Sequence, residues 1–261
     1  MILAHGGVQG DVSTERLPAD AVPAVFAYSL NRKLRKLYSG EYFRYRQASG
    51  GEFDYPSNTP DLTEDVFITT IYDQAVGYGV QHAVQANQSL QPKLELIGSN
   101  YRAVFNQQEY LDVPSSGSGV SELGQDFTIT AIGDGGDFPR PMIGIWGTTD
   151  RITVEPSDQA TRFTFNNNLG TILDQDGRVT QCRSGYDPKQ NNHRVLTIKT
   201  GSSHGHITTT SQTPTFTNIS IGREDQRLYK GAFTEVTMHL GNLTELGSDQ
   251  LFQTTRTYYG D

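Results

Sequence analysis

The sequence predicts an all-β protein, an antiparallel β-sandwich, on the basis of two observations. Many short runs of apolar, aromatic and β-branched residues follow one another, with almost no helical pattern between them. The 261 residues include 27 glycines and only 35% hydrophobic residues, a composition typical of short strands joined by polar turns. All-β sandwiches of this length commonly form one domain.

The strongest strand pattern runs from Val66 to Tyr72, where nearly continuous apolar and β-branched residues indicate a buried central strand. We therefore expect Phe67 and Ile71 to lie in the core. Alternation of aromatic and charged residues predicts another strand at residues 42–46. The same reasoning predicts strands at residues 101–105, 127–132, 142–146, 151–154, 162–165, 195–199, 207–210, 218–221 and 231–240.

The segment from Ala21 to Gly40 shows a different pattern. Its larger apolar side chains recur at spacings close to a helical stripe, Asp20 can cap the start, and Gly40 can end it. The pattern predicts a short N-terminal helix. Residues 1–20 show neither a period of 2 nor one of 3.6, so we interpret them as an N-terminal arm and residues 21–261 as one sandwich domain.

The charge, the hydrophobicity and the cysteine content argue against nucleic-acid binding, membrane insertion and an internal disulfide. The net charge is −8, and we interpret the one dense basic run, Arg32 to Lys36, as the solvated face of the predicted helix, so no nucleic acid is expected. No stretch is apolar enough to predict membrane insertion. Cys182 is the only cysteine, which excludes an intramolecular disulfide. With no signal-peptide pattern after Met1, synthesis in a reducing cytoplasm is expected.

Three segments, in order, resemble a known family. They are Ala27-Tyr28-Ser29-Leu30 with the following residues to Arg46, the strand ending in Tyr72-Asp73-Gln74 with its Gly-rich turn, and Asn218 to Gly260. Together they resemble the concanavalin A-like, laminin-G-like jelly-roll domains of bacterial secreted proteins, phage virion proteins and fungal α-L-arabinofuranosidases. The resemblance implies a jelly-roll sandwich that ends in a C-terminal helix, with Leu243, Leu246 and Leu251 on its buried side.

The arabinofuranosidase branch of this family implies a pair of catalytic carboxylates. The position of the acid falls near Glu224, but the segments Met142 to Trp146 and Arg162 to Phe165 carry no Glu or Asp for a nucleophile. We therefore expect no enzymatic activity. The alternatives are a glycoside hydrolase of arabinofuranosidase type and a cellular lectin-like adhesion module.

The candidate binding residues are few. Trp146, the only tryptophan, either lies in the core or offers a ring for stacking on a sugar, and with Glu224 and Asp225 it forms the candidate glycan-binding set. Tyr72, Asp73 and Gln74 form a structural motif, in which Asp73 is expected to bond backbone amides.

Three groups of residues are candidate metal ligands: two of them lack the further ligands that a site needs, and the third, Asp134 with Asp137 around two glycines, favours a turn over a hard-cation site, so no metal and no cofactor are expected. They are Asp174 with Asp176, Asp134 with Asp137, and His204 with His206.

The resulting functional expectation is a non-enzymatic phage virion protein, made in the host cytoplasm. Its sandwich would be exposed on the particle as a capsid decoration, a knob or a part of the tail. The expected partners are other virion proteins, reached through the N-terminal arm, and cell-surface carbohydrate. A homo-oligomer is compatible with this interpretation.

Overall fold

The structure is a computed structural model that describes residues 17–20, 24–75, 81–114, 127–135, 140–147, 151–156, 161–165, 168–172, 179–186, 193–200, 203–210, 217–240 and 245–259. Its strands, in chain order, are β1 (Ala24–Ser29), β2 (Phe43–Gln47), β3 (Glu52–Tyr55), β4 (Val66–Ile71), β5 (Ala83–Val84), β6 (Lys93–Ile97), β7 (Asn100–Asn106), β8 (Leu111–Val113), β9 (Phe127–Gly135), β10 (Ile143–Trp146), β11 (Arg151–Glu155), β12 (Thr161–Phe165), β13 (Asn168–Ile172), β14 (Val179–Tyr186), β15 (His193–Thr200), β16 (Ser203–Thr210), β17 (Asn218–Ile221), β18 (Arg223–Glu224), β19 (Arg227–Leu228) and β20 (Lys230–Leu240). The helices are α1 (Glu245–Tyr259) and two 3₁₀ turns, Pro18–Asp20 and Gln88–Leu90.

The first sheet is built around the long strand β20. On one side β20 pairs with β9, and the sheet continues through β14 and β15 to β16. On the other side the first part of β20 pairs with β7 and the later part with β1. All these pairings are antiparallel, as hairpin-connected strands allow.

The second sheet has the antiparallel order β3, β2, β4, β5, β8, β17, β10, β11, β12 and β13. Strand β6 joins the two sheets, since it pairs with β7 and meets β4 where Phe67 lies opposite Lys93. The result is a curled all-β sandwich, which confirms the predicted fold class.

The core fills the space between the two sheets. The largest fully buried side chains are Phe26, Tyr28, Leu30, Leu34, Phe43, Tyr45, Phe105, Phe127, Tyr229 and Phe233. Ile71 is fully buried among them, as predicted. The core prediction for Phe67 was wrong: its ring is only partly buried, and the guanidinium of Arg46 lies 4.8 Å from the ring centroid. Because side chains alternate along a strand, Val66 and Ile68 take the core side of β4 instead, and an irregularity in the pairing between Ile68 and Thr70 returns Ile71 to that side.

The predicted N-terminal helix between Ala21 and Gly40 was wrong. Residues 24–29 form β1, every residue of which is buried, and β1 pairs with β20. The helical spacing was misleading because pairing with β20 outweighs a weak local preference for helix. Leu34 is buried in the loop that follows, whereas Leu37, assigned to the same stripe, is 84% exposed.

The last residues of the predicted N-terminal arm, which ends at residue 20, form regular structure and contact the domain. Pro18–Asp20 form a 3₁₀ turn, and the Ala19 amide donates to the Leu34 carbonyl at 2.7 Å. Residues 1–16 lie outside the described residues, so the predicted role of the arm stays a prediction.

The C-terminal helix α1 packs against the first sheet. Phe252 and Tyr259 form a buried cluster with Ile132 of β9, and Leu251 is buried as predicted. Leu243 lies outside the described residues, and so does the side chain of Leu246. Within the described part of the chain, no helix combines the length and the apolar character needed to cross a membrane.

Candidate functional site

The outer face of the second sheet carries a row of polar or small residues. Strand register places Gly144 of β10 beside Thr153 of β11 on one side and beside Ser220 of β17 on the other, and Asp112 of β8 lies next to Ser220. The alternate positions on the same strands, such as Ile145, belong to the core. The row therefore faces away from the core, although Thr153 and Ser220 within it are buried.

A short hairpin, formed by β18 and β19, lies on this face. A Cβ atom at Gly144 would sit 2.2 Å from the Arg223 carbonyl oxygen and 2.7 Å from Glu224 Cβ, so only glycine permits this approach. Gly222, which has a φ of 91°, turns the chain from β17 into the hairpin. The hairpin therefore places Arg223, Glu224 and Arg227 over the sheet.

Two buried glutamates and two arginines meet between the hairpin and β11, and we refer to Arg151, Glu155, Glu224 and Arg227 as the arginine–glutamate cluster. Nη1 of Arg227 lies 2.8 Å from Glu155 Oε1 and 3.3 Å from Glu224 Oε2. Nη2 of Arg227 donates to Glu155 Oε2 at 2.9 Å, and the Thr153 hydroxyl donates to Glu155 Oε1 at 2.7 Å. Nη1 of Arg151 lies 3.9 Å from Glu224 Oε1.

Burial in this cluster is uneven. The side chains of Glu155 and Glu224 are only 2% and 7% exposed, whereas that of Arg227 is 37% exposed. Burial lowers the pKa of Arg227, but the hydrogen bonds and charges of the two glutamates raise it by more, so that the net shift is upward. The cluster thus presents a permanently charged guanidinium to solvent above two neutralising carboxylates.

An aromatic group lies next to this cluster, and we refer to Tyr110, Asp112, Trp146 and Arg223 as the tyrosine–tryptophan cluster. The guanidinium of Arg223 lies 3.7 Å from the Tyr110 ring centroid and 5.9 Å from that of Trp146. Its Nη2 donates to both carboxylate oxygens of Asp112 at 2.8 Å. Trp146 itself is partly exposed, so its ring is not a core side chain.

The structure brings Trp146 and Glu224, two of the predicted glycan-binding residues, to the same face. Asp225 lies at the exposed turn of the hairpin, with a φ of 51°. The segments Met142 to Trp146 and Arg162 to Phe165 carry no carboxylate, but Glu155, which the sequence analysis did not select, shares the Arg227 guanidinium with Glu224. The predicted strand ended at Val154, one residue short. Continuing its alternation from Arg151 and Thr153 leads to Glu155 on the polar face.

The Tyr72-Asp73-Gln74 motif directly follows β4 and holds three segments together. The Tyr72 hydroxyl donates to Asp54 Oδ1 of β3 at 2.6 Å. The Gln74 side chain accepts from the Leu34 amide at 2.8 Å and donates to the Arg32 carbonyl at 3.1 Å. The motif therefore holds the end of β4 against β3 and against the loop after β1.

Asp73 is buried at the centre of this motif. Its Oδ1 accepts from the Ala27 and Ala75 amides at 2.8 and 2.9 Å, and its Oδ2 accepts from the Gln81 amide at 3.4 Å. Burial raises the pKa of Asp73 to about 6, against the opposing effect of these amides. The neighbouring His82 accepts from the Asp73 amide at 3.2 Å, and burial lowers the pKa of its imidazole.

We expect the Asp73→Asn variant to lose part of the pH dependence of stability. Because the folded pKa of Asp73 is raised, the folded state keeps a proton that the unfolded state releases between about pH 4 and 6, so stability falls as pH rises through this window. The fall amounts to at most about 3 kcal/mol. The lowered pKa of His82 acts in the opposite direction, since its contribution rises up to about pH 6.5.

The measurement is the free energy of unfolding in urea from pH 4 to 7, for the wild type and for the Asp73→Asn and His82→Gln variants. As pH rises, the free energy of unfolding of the wild type should fall relative to that of Asp73→Asn. Relative to that of His82→Gln, it should rise. A constant difference between the wild type and Asp73→Asn across this range would contradict the assignment.

The metal candidates from the sequence receive no support. In the described part of the chain, no group of three or more His, Cys, Asp or Glu residues is arranged to hold a metal ion. Asp134 of β9 instead forms an ion pair with Arg102 of β7. Asp137, Asp174 and Asp176 lie outside the described residues, as do the side chains of His204 and His206.

Comparison with solved structures identifies a similar fold. An arabinofuranosidase in complex with arabinofuranosyl-α-1,2-xylobiose matches with a TM-score of 0.65 and 15% identity, over 90% of this chain and 64% of that chain. This chain has the β-sandwich fold of that enzyme. It therefore spans less than two thirds of the enzyme's length.

Two further matches have lower TM-scores. Domain 4 of an extracellular GH43 arabinanase from Geobacillus stearothermophilus, in complex with arabinotriose, has a TM-score of 0.47 at 15% identity, over 69% of this chain and 92% of that one. A Trypanosoma rangeli sialidase has a TM-score of 0.48 at 10% identity, over 91% of this chain and 37% of that one. The sequence matches no protein-family model and no curated protein.

Proposed function

We propose that the protein binds carbohydrate on the outer face of its second sheet, with Trp146 as the central contact. The observation that carries the proposal is the partly exposed Trp146 ring beside fixed polar groups of both signs. An aromatic ring packs against the apolar face of a sugar, while carboxylates and guanidiniums bond its hydroxyl groups. The arabinofuranosidase with the similar fold is bound to an oligosaccharide, which supports the same ligand class here.

The polar groups at this face are already held in position. Arg223 is fixed by Asp112 and stacked on Tyr110, and Arg227 is fixed by the two glutamates. Such preorganisation reduces the entropy lost when a ligand binds, because the side chains do not have to be ordered at that moment. A neutral sugar that places hydroxyl groups near Arg223 and Arg151 fits this arrangement.

We also propose that binding occurs without hydrolysis. A retaining glycosidase needs one carboxylate free to attack the anomeric carbon and a second to protonate the leaving oxygen. In the arginine–glutamate cluster both oxygens of Glu155 accept hydrogen bonds from Arg227, and one also accepts from Thr153. Both glutamates are almost fully buried, Glu155 on β11 and Glu224 within the hairpin, and both are ion-paired with Arg227.

One observation favours a second candidate function, a glycoside hydrolase of arabinofuranosidase type. Glu155 and Glu224 lie on the two sides of a single guanidinium, so two carboxylates are close together on the candidate face. Assays of aryl glycosides and arabinose-containing polysaccharides separate the two candidates. Turnover that is lost in both Glu155→Gln and Glu224→Gln would establish the hydrolase. No turnover by the wild type supports the binding function.

We expect the Trp146→Ala variant to lose carbohydrate binding by about tenfold or more in dissociation constant, because it removes the ring on which a sugar would stack. Trp146→Phe keeps an aromatic ring and should retain part of the affinity. The measurement is binding to an immobilised panel of neutral and acidic oligosaccharides, followed by calorimetric titration of those that bind.

The matched control is Phe53→Ala, which removes a partly exposed ring from β3 at the far edge of the same sheet. It should leave carbohydrate affinity unchanged. Equal affinity in the wild type and Trp146→Ala, with both variants folded by circular dichroism, would place binding elsewhere. Absence of binding to the whole panel by the wild type would refute the proposed function.

The location on a phage virion is proposed from the family resemblance of the three sequence segments. In this proposal the sandwich is exposed as a capsid decoration, a knob or a part of the tail, and contacts cell-surface carbohydrate. Mass spectrometry of purified particles tests the location. Deletion of residues 2–16 tests whether the N-terminal arm attaches the sandwich to other virion proteins.

A further inference from the structure

Strand β6 lies at an edge of the first sheet, next to β7. It pairs with β7 along its whole length, Lys93–Ile97, but on its other side it meets β4 at a single residue pair, Phe67 opposite Lys93. Beyond Lys93, within the described part of the chain, no strand pairs with that side of β6. An unpaired strand edge presents amide and carbonyl groups to which a further strand can bond.

The backbone groups of Leu96 face this open edge. In an antiparallel sheet, successive residues turn their amide and carbonyl groups to alternate sides of the strand. The Pro92 carbonyl accepts from the Ile68 amide of β4 at 2.9 Å, so Pro92 turns toward β4. Leu94 and Leu96 follow it in alternation, so the Leu96 amide and carbonyl point away from β7. Leu96 is 45% exposed, so this part of the edge is open to solvent.

A groove of about 400 Å³ lies along the open edge. One wall is β6, and the other is the segment from Leu62 to Asp65, which precedes β4. Leu62 and Leu96, one on each wall, are 39% and 45% exposed. The groove therefore combines apolar side chains with unpaired backbone groups, the two features with which a sheet edge binds an extended peptide.

The groove is negatively charged. Its walls contain the carboxylates of Glu64, Asp65 and Glu95 and one amine, that of Lys93. The amine lies 2.8 Å from Asp65, so these two charges neutralise each other. Glu64 accepts hydrogen bonds at 2.7 Å from the amide and the hydroxyl of Ser49, a neutral residue that leaves the charge of the carboxylate in place.

The arginine across the strands from Glu95 is already paired. Arg102 of β7 lies opposite Glu95, but its guanidinium forms an ion pair with Asp134 of β9. Glu64 and Glu95 therefore leave the groove with an excess of negative charge. A second copy that paired its own β6 here would bring two Glu95 side chains to the same face, and like charges disfavour that arrangement. Lysine or arginine in an added strand complements the groove instead.

The two faces of β6 differ, because successive side chains point to opposite faces of a sheet. Leu94 and Leu96 share one face, and Leu94 is part of the core. Glu95 lies on the other face. A strand added beside them therefore meets an apolar surface with one set of alternate side chains and a carboxylate with the other set.

We propose that the open edge of β6 binds an extended segment of a partner protein in which apolar residues alternate with lysine or arginine. The segment adds to the first sheet as a further strand, and the Leu96 amide and carbonyl form main-chain hydrogen bonds with it. Leu62 and Leu96 contact its apolar side chains, and Glu64 and Glu95 bind its cations. This partner site is independent of the proposed carbohydrate-binding face, which lies on the second sheet.

The probes are two acetylated octapeptides, one that alternates valine with lysine and one that alternates valine with glutamate, titrated calorimetrically at low and at physiological ionic strength. The wild type should bind the lysine peptide about tenfold more tightly than the glutamate peptide, because two ion pairs replace two repulsions. The preference should decrease as salt is added. Hydrogen exchange of the wild type should show added protection of the Leu96 amide when the lysine peptide is bound.

Two pairs of variants separate the backbone from the charge. Leu96→Pro removes the amide at the open edge, where proline is tolerated, and should bind the lysine peptide about tenfold more weakly than Leu96→Ala, which keeps the amide. Glu95→Gln should reduce the preference for the lysine peptide to about threefold. Gln253→Lys makes the same change in net charge on the exposed side of α1 and should leave the preference unchanged.

Three results would overturn the inference. The first is equal affinity of the wild type for the two peptides, or binding of neither. The second is a Leu96 amide that gains no protection from exchange in the presence of the lysine peptide. The third is self-association of the wild type that is lost in Leu96→Pro, which would assign the edge to a second copy of the chain. None of these measurements involves a sugar, so the proposed carbohydrate binding is tested separately.

Discussion

The Arg32→Ala variant is expected to lose about 3–5 kcal/mol of folding free energy, because it leaves the buried carboxylate of Glu235 without its partner. Arg32 and Glu235 form two hydrogen bonds, at 2.6 and 2.8 Å, and their side chains are only 7% and 2% exposed. The Tyr259 hydroxyl also donates to Glu235 at 2.9 Å, and the Arg32 guanidinium lies 4.3 Å from the Tyr258 ring centroid. The ion pair links the loop after β1 to β20, and Tyr258 and Tyr259 of the C-terminal helix pack on it.

The matched control is Arg44→Ala. Arg44 forms the same two-bond pair with Asp54, but the two side chains are 44% and 27% exposed. Exposed pairs contribute about 1 kcal/mol or less, so this variant should change stability little. Urea unfolding followed by circular dichroism measures both. A loss in Arg32→Ala no larger than that in Arg44→Ala would contradict the importance of burial.

A double variant separates the cost of the unpaired charge from the value of the pair. Arg32→Met combined with Glu235→Leu removes both charges and keeps apolar volume, and it should be clearly more stable than Arg32→Ala alone.

The structure also corrects the sequence interpretation of Arg32. Arg32 was assigned to a solvated basic face, but the irregular loop after β1 turns it inward while Lys33 and Lys36 remain exposed.

The fold class could be predicted from local patterns because strands bury alternate residues, and alternation is visible in a sequence. The continuous apolar run Val66–Ile71 corresponds to a strand in the middle of a sheet, as expected. The segment Ala24–Ser29 could not be assigned in the same way. It pairs with β20, more than 200 residues away in the sequence, and no local pattern reports such a partner.

The candidate site was predictable in part. Trp146 and Glu224 were selected for their chemistry, and the structure places both on the outer face of the second sheet. Glu155 was missed because the predicted strand ended one residue early. The roles of Arg223 and Arg227 depend on a hairpin that lies over Gly144, a contact between distant segments of the chain. The sequence shows a glycine there but not what approaches it.

The hairpin that carries the site depends on a core residue beneath it. Phe105 of β7 is fully buried, and its ring lies 5.8 Å from the Tyr229 ring, centroid to centroid. A Cβ atom at Gly222 would lie 2.5 Å from Phe105, so the ring sits directly under the point where the chain enters the hairpin. The Tyr229 amide, at the hairpin's other end, donates to the Gly222 carbonyl at 2.8 Å.

We expect Phe105→Ala to destabilise the protein by about 3–5 kcal/mol, because it removes a fully buried aromatic side chain and leaves a cavity. The cavity opens below Gly222, so the hairpin should also lose its support and carbohydrate affinity should fall with stability. Phe53→Ala makes the same chemical change at a ring that is 36% exposed and should cost about 1 kcal/mol or less. Denaturant unfolding gives both free energies, and titration at a temperature where both variants are folded gives the affinities. If Phe105→Ala reduced stability but left affinity at the wild-type value, the hairpin would be positioned by its contact with Gly144 alone.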